Sequence, residues 1–283
     1  MDAPIGLALY LRAFSKKRHG TPKELAKKLA DAGLRWAAIG GPWHDDPRKG
    51  NRWMNRPEEI LRYSEALAAA GVQAHVWGYP WHDRVDAFVE DLLACTGPAT
   101  SGWLLDPELG FKGHAAEAAE LFQKSRAAIE GRNPYIALGL TSYGLPRGHR
   151  SFPFGAFAEP GVEGDPTVEC DYGSPQLYDV PKTRVLEGLA DYAEIGFDAV
   201  VPSFGVYKFV KADPALPMSG KNRKAVSKTP EELEEHLDDF LDSPVEVHGL
   251  IGWAFNFVNA GLWRVLSRWA ERLDRGACAL PPR

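Results

Sequence analysis

Cysteine is scarce in this chain. Only Cys95, Cys170 and Cys278 occur among 283 residues, far apart and without a CxxC pair. So sparse and odd a set argues against a disulfide framework and suits a reducing compartment. A positive charge excess is also missing. Lys and Arg number 33 against 38 Asp and Glu, a formal net charge of −5, whereas nucleic-acid binders ordinarily carry a basic balance. No apolar run reaches the length of a membrane span. The opening stretch lacks a basic n-region and meets Arg12 too soon for a secretory signal. The expectation is a protein that is cytoplasmic as synthesised, with neither nucleic acid nor membrane as partner.

Several functional signatures are absent as well. There is no P-loop, no HExxH, no GxSxG elbow and no GxGxxG, which removes the usual marks of P-loop phosphoryl transfer, zincin proteolysis, α/β-hydrolase acyl transfer and dinucleotide redox chemistry. No cofactor is implied. Gly (28) and Pro (22) stay below the level that marks low complexity. A chain of this length buries roughly three quarters of its unfolded surface without disulfides or metals.

What the chain does have is alternation. Strand-like runs fall near residues 5–11, 36–39, 72–77, 102–105, 135–140, 175–178, 199–202 and 250–255, with amphipathic helical segments between most of them. Thr21-Pro22-Lys23-Glu24 and Thr229-Pro230-Glu231-Glu232 each read as N-cap, N1 proline and N3 glutamate of a capping box. Eight such repeats predict an α/β fold, a single (β/α)8 TIM barrel over residues 1–283, with long βα loops after strands 5 and 7. An open doubly wound sheet is the runner-up, but it lacks its glycine fingerprint after the first strand.

The fourth run ends in Leu105-Asp106-Pro107-Glu108. Side chains alternate along a strand, so Asp106 and Glu108 share a side. At the C-terminal end of a barrel strand that side is the mouth of the site. Two adjacent carboxyls repel, so one stays protonated near neutral pH. That is the combination glycoside cleavage needs, a proton donor beside a charged partner. The sixth run, Ser174-Pro175-Gln176-Leu177-Tyr178-Asp179, puts Gln176 and Tyr178 on one face by the same rule, an amide and a phenol suited to sugar hydroxyls or an N-acetyl group. Trp253 and Asn256 close the last run, while Tyr10, Trp43, Trp77, Tyr79, Trp81, Trp103 and Tyr143 cluster at other strand ends. Each aromatic alone is better explained by core packing. Their shared position at the C-terminal ends favours a sugar groove.

A barrel with DxE ending strand 4, a QxYD element on strand 6 and a Trp on strand 8 resembles the glycoside hydrolase family 18 chitinases. The DxE strand followed by Pro-Gln-x-Tyr is also similar to the family 25 lysozymes, or muramidases. The resemblance implies Glu108 as general acid, Asp106 as the assisting carboxylate and Tyr178 as support for the attacking acetamido group. Trp253 would then floor the subsite. It implies a glycosidase, retaining in the first instance, on a polysaccharide of N-acetylhexosamine, peptidoglycan ahead of chitin-like glycans; acetamido participation, a covalent intermediate or inversion is for the carboxyl geometry to decide. With no export signal, the enzyme would reach a cell wall by lysis or within a phage-like injection apparatus. The chain departs from the longer chitinase pattern DxxDxDxE at Ser101 and Leu104. It also has Tyr10 and Arg12 where muramidases carry an acid on strand 1, and Asn256 rather than an acid after Trp253.

Two further features need a reading. Trp43-His44-Asp45 and Trp81-His82-Asp83 follow strands 2 and 3. They are either part of a metal site or aromatic groove walls with Asp83 as a helix cap; the spacing favours the second. Lys208, Lys211, Lys221, Arg223, Lys224 and Lys228 lie in one rim loop, either solvated or a guide for an anionic polymer. The alternatives to a glycosidase are a non-catalytic glycan-binding or structural barrel and a metal-dependent hydrolase.

Overall fold

The computed structural model describes residues 4–44, 52–158, 170–197, 199–212 and 222–274. Eight parallel strands close on themselves: β1 (Gly6–Leu11), β2 (Trp36–Trp43), β4 (Gln73–Tyr79), β5 (Thr100–Leu105), β6 (Ala137–Tyr143), β7 (Tyr172–Leu177), β8 (Ser203–Gly205) and β11 (Gly249–Trp253). β1 pairs with β2 on one side and β11 on the other, which seals the (β/α)8 barrel. Short β3 (Arg52–Trp53) runs antiparallel to the end of β2. Around the barrel lie α2 (Pro22–Asp31), α3 (Pro57–Ala69), α4 (Val85–Ala94), α5 (Ala115–Arg132), α7 (Lys182–Ile195), α8 (Pro230–Leu241) and α9 (Ala260–Asp274), with one-turn α1 (Lys16–His19) and α6 (Gly155–Ala158) at the rim connections. Among the described residues no helix is long and apolar enough to cross a membrane.

Alternation builds two cores. On β1, Leu7, Leu9 and Leu11 face the helices, while Ala8 and Tyr10 face the barrel interior. The interior mixes large rings, Tyr10, Trp36, Trp77 and Tyr172, with small residues. Gly139 shows why they must be small: a Cβ there would sit 2.2 Å from the Tyr172 ring. Both capping boxes form, with Thr21 Oγ1 accepting from Glu24 N at 3.3 Å and Thr229 Oγ1 from Glu232 N at 3.2 Å. Gly33 ends the first of these helices at φ 75°.

Two expectations need correction. The seventh strand was placed at 199–202, but Pro202 has no N–H to give, so only Val200 bridges its neighbours and the ladder proper begins at Ser203. In its described parts the basic stretch is not an irregular loop. Tyr207–Lys211 (β9) and Arg223–Ser227 (β10) form an antiparallel hairpin over the rim, its β-forming Tyr207, Phe209, Val210 and Val226 masked in sequence by the charges.

Candidate active site

The C-terminal ends of the strands enclose a cavity of about 240 Å³. Its base is the strand 4 acid pair. Asp106, 4% exposed, continues the β5 ladder by donating its N–H to Gly78 O at 2.9 Å. Pro107 then frees the chain from the sheet, and Ser142 Oγ holds the Pro107 carbonyl at 2.7 Å, which sets Glu108 beside Asp106.

The two carboxyls hydrogen-bond to each other. Trp77 Nε1 donates to Asp106 Oδ2 at 3.1 Å, and Gln176 Nε2 donates to Asp106 Oδ1 at 2.8 Å. The Gln176 amide also donates to Glu108. Burial first, and then the charge of Glu108, hold the Asp106 carboxyl well above the usual carboxylate range. Burial also raises Glu108, partly offset by its bonds from Gln176 and Asp106. One proton is therefore shared in the contact at pH values where free carboxyls are ionised.

Aromatic rings surround this centre. Trp43 stacks on Tyr79, with centroids 4.5 Å apart, to form one wall. Trp77 and Trp253 meet edge to face at 5.0 Å, and Tyr178 packs beside Trp253 at 6.1 Å. The Trp253–Ala254 peptide bond is cis. Burial pushes the Tyr178 phenol far up, so it remains an O–H donor at any ordinary pH.

Of the residues singled out in the sequence, Tyr10, Trp43, Trp77, Tyr79, Asp106, Glu108, Gln176, Tyr178 and Trp253 line this one cavity. Two of them differ in role from the groove wall expected. Tyr10 is 1% exposed and spends its hydroxyl on Thr141 (3.2 Å) and Ser203 (3.1 Å) inside the barrel. Trp77, 2% exposed, presents its N–H to Asp106 rather than its face to a ligand.

Five candidates lie outside the cavity lining. Trp103 is buried in the core between barrel and helices, donating Nε1–H to Thr96 Oγ1 at 2.9 Å. Trp81 covers the backbone of Gly110 behind Glu108. Tyr143 stacks on His149 at 3.7 Å; its phenol is pushed up to about 12 by burial and by the nearby Glu108 and Asp106 charges. Asp179 adopts φ 41° and turns from the strand to accept the Phe209 N–H at 3.0 Å, tying down the rim hairpin. Asn256 sits exposed in the turn Phe255–Phe257.

The histidines of the repeated Trp-His-Asp are separately engaged. His44 is buried against Asp91, with Nε2 to Oδ2 at 2.9 Å, and His82 stacks on His114 at 3.6 Å. Asp83 lies within the turn His82–Arg84 and does not cap α4. Asp45 and Lys221 fall outside the described residues. Among the described residues no group of three His, Cys, Asp or Glu is placed to hold a metal ion. In the hairpin, Lys208 pairs with Glu232 and Lys228 is buried 4.0 Å from Asp179, while Lys211 and Lys224 are exposed.

One lining residue was passed over in the sequence: Arg12, whose guanidinium lies 5.4 Å from the Trp43 ring centroid. Its signal was there, since Tyr10 and Arg12 stand at i and i+2 at the end of β1.

Fold and site geometry together define a (β/α)8 barrel with a buried, aromatic-walled acid pair at the C-terminal ends of its strands. No protein-family model matches the sequence, and no match comes from the curated proteins. Solved structures do match. The spore cortex-lytic enzyme SleL of Bacillus cereus superposes with a TM-score of 0.67 at 11% identity, over 95% of this chain and 75% of its own. The chitinase ICChI of Ipomoea carnea gives 0.60 at 12%, over 93% and 99%. A xylanase and α-amylase inhibitor protein of Scadoxus multiflorus gives 0.57 at 12%, over 96% and 99%. At such identities the likeness is one of fold.

Proposed function

We propose that this chain is a glycosidase that cleaves an N-acetylhexosamine polymer, peptidoglycan first and chitin-like glycans second. The observation that carries the reading is the Asp106–Glu108–Gln176 cluster, buried, proton-sharing and walled by aromatics at the barrel mouth. Likeness to SleL and to a chitinase supports it.

The geometry also supports one mechanism over others. Inverting glycosidases hold their carboxyls about 6.5–9.5 Å apart to admit a water, and retaining ones with a protein nucleophile about 5–5.5 Å. Asp106 and Glu108 are in hydrogen-bond contact, too close for either. The nucleophile then comes from the substrate, as the carbonyl oxygen of its own acetamido group. When the acetamido N–H takes up Asp106, the shared proton passes to Glu108, which delivers it to the glycosidic oxygen as that bond breaks. The acetamido oxygen bonds to the anomeric carbon, and the ionised Asp106 stabilises the resulting positive charge. Tyr178 donates its O–H to the acetamido group. Glu108, now ionised, removes a proton from the water that opens the cyclic intermediate and retains the configuration.

The test is Glu108→Gln against bacterial sacculi and chitin oligomers, reading new reducing ends. Hydrolysis by the wild type, lost by at least about a hundredfold in the variant, fits the loss of a general acid. A wild type that releases no ends from either glycan refutes the proposal. That outcome would favour a second reading, a glycan-binding barrel without turnover, which the likeness to an inhibitor protein supports.

A further inference from the structure

We propose that Arg12 is a specificity residue that reads a carboxylate on the glycan, so the cavity takes an acidic N-acetylhexosamine chain in preference to a neutral one. The inference rests on the glycosidase reading above and names its substrate class. Arg12 brings a guanidinium to a cavity whose two carboxyls are already satisfied by each other, by Trp77 and by Gln176. Among the described residues it makes no ion pair, and its side chain is exposed. Burial and contacts within the cluster are the leading causes of the raised Asp106 and Glu108 carboxyls.

The residue is also held in place. The Trp43 ring lies under the guanidinium at 5.4 Å. Below it, Asn55 Nδ2 donates to Arg12 O at 3.1 Å and to Gly40 O at 2.7 Å, while Asn55 Oδ1 accepts the Phe14 N–H at 2.5 Å. One buried amide thus pins the β1 and β2 ends together and fixes where the arginine leaves the backbone. Neutral sugar hydroxyls are served by neutral donors and acceptors. A planar cation with a forked set of N–H groups matches a carboxylate. An ether-linked carboxylic acid on a hydroxyl oxygen of one sugar is the chemistry that would engage it.

The experiment reads binding, so it does not depend on turnover. Glu108→Gln protein is titrated calorimetrically at low salt with an N-acetylglucosamine oligomer, with the same oligomer carrying a lactyl ether, and with the methyl ester of that ether. The acidic ligand is expected to bind about tenfold tighter than the neutral one, the size of one charge-assisted bond. The gain should vanish in the ester and in a further Arg12→Gln change, and survive in part with Arg12→Lys. Equal affinities, no binding of any of the three, or a preference that outlasts both esterification and Arg12→Gln overturns the assignment. Acid-selective binding by a wild type that cleaves nothing would instead sink only the glycosidase reading. Cleavage without acid preference would sink only this one.

Discussion

Replacing Gln176 with Leu probes the acid pair directly. The two N–H bonds of this amide go to Asp106 Oδ1, at 2.8 Å, and to Glu108. Both favour ionised carboxyls, and both lower proton affinity in a site where burial raises it. A hydrogen bond to a charged group contributes about 1.5–3 kcal/mol, and one pKa unit corresponds to about 1.36 kcal/mol. Losing the amide should therefore raise the midpoint of the pair by about one to two units, toward the low end where water from the open cavity replaces part of the bond. Carbon-13 NMR of side-chain-labelled Asp and Glu, followed through an acid–base titration, resolves a shift of this size without any substrate. Leu preserves volume and leaves Trp77 Nε1 on Asp106 Oδ2. Midpoints that stay put or move down would show that the amide does not set the pair's protonation.

Folding stability should follow the same groups. Asp106 and Glu108 both hold protons more tightly in the fold than in the unfolded chain, so their contribution is full below about pH 4 and is lost as pH rises through the folded midpoints. Urea midpoints should show Glu108→Gln gaining on the wild type as pH rises; a constant difference would contradict the sign. Gly139→Ala places a methyl 2.2 Å from the Tyr172 ring in the barrel interior and should cost at least about 1–3 kcal/mol. Gly131→Ala, with nothing within 4 Å on a helix, should be neutral or stabilising by up to about 1 kcal/mol in the same urea assay. Thr229→Ala removes the cap on Glu232 N and should lower the unfolding free energy by about 0.5–2 kcal/mol.

The acid pair and Gln176 were legible because strand parity is a strict rule. A two-residue spacing at a strand end leaves little freedom, and both Asp106/Glu108 and Gln176/Tyr178 obey it. Parity fails where the chain beyond the strand turns. Asp179 follows Tyr178 but enters the left-handed region and turns to the hairpin backbone; Trp81 and Asn256 follow their strands and leave the groove at 3-10 turns. The side-chain rule has no force where the backbone stops being extended. Arg12 was overlooked for a different reason. It occupies a place where an acid was sought, and the missing acid drew attention from the cation present. The hairpin was hidden by its lysines, since charge density and strand pairing are separate properties of a segment.

The departures at Ser101 and Leu104 also bear on where the proton comes from. Leu104 sits wholly buried in the interior layer with Tyr10, Trp77 and Ile251, directly under the cavity. An acid there would enter the same apolar layer and compete with Asp106 for its proton. A leucine instead leaves the floor of low polarity, and this desolvation is the first cause of the raised Asp106 carboxyl. Below that floor the hydroxyls of Tyr10, Ser203 and Ser174 bond among themselves, with Tyr10 also on Thr141, and Tyr10 holds its proton far above neutrality. Among the described residues the barrel interior therefore supplies no ready acid besides Asp106, which shares its proton with Glu108. Under the proposed mechanism, that proton would pass to Glu108 when a substrate amide takes the place of Glu108 beside Asp106.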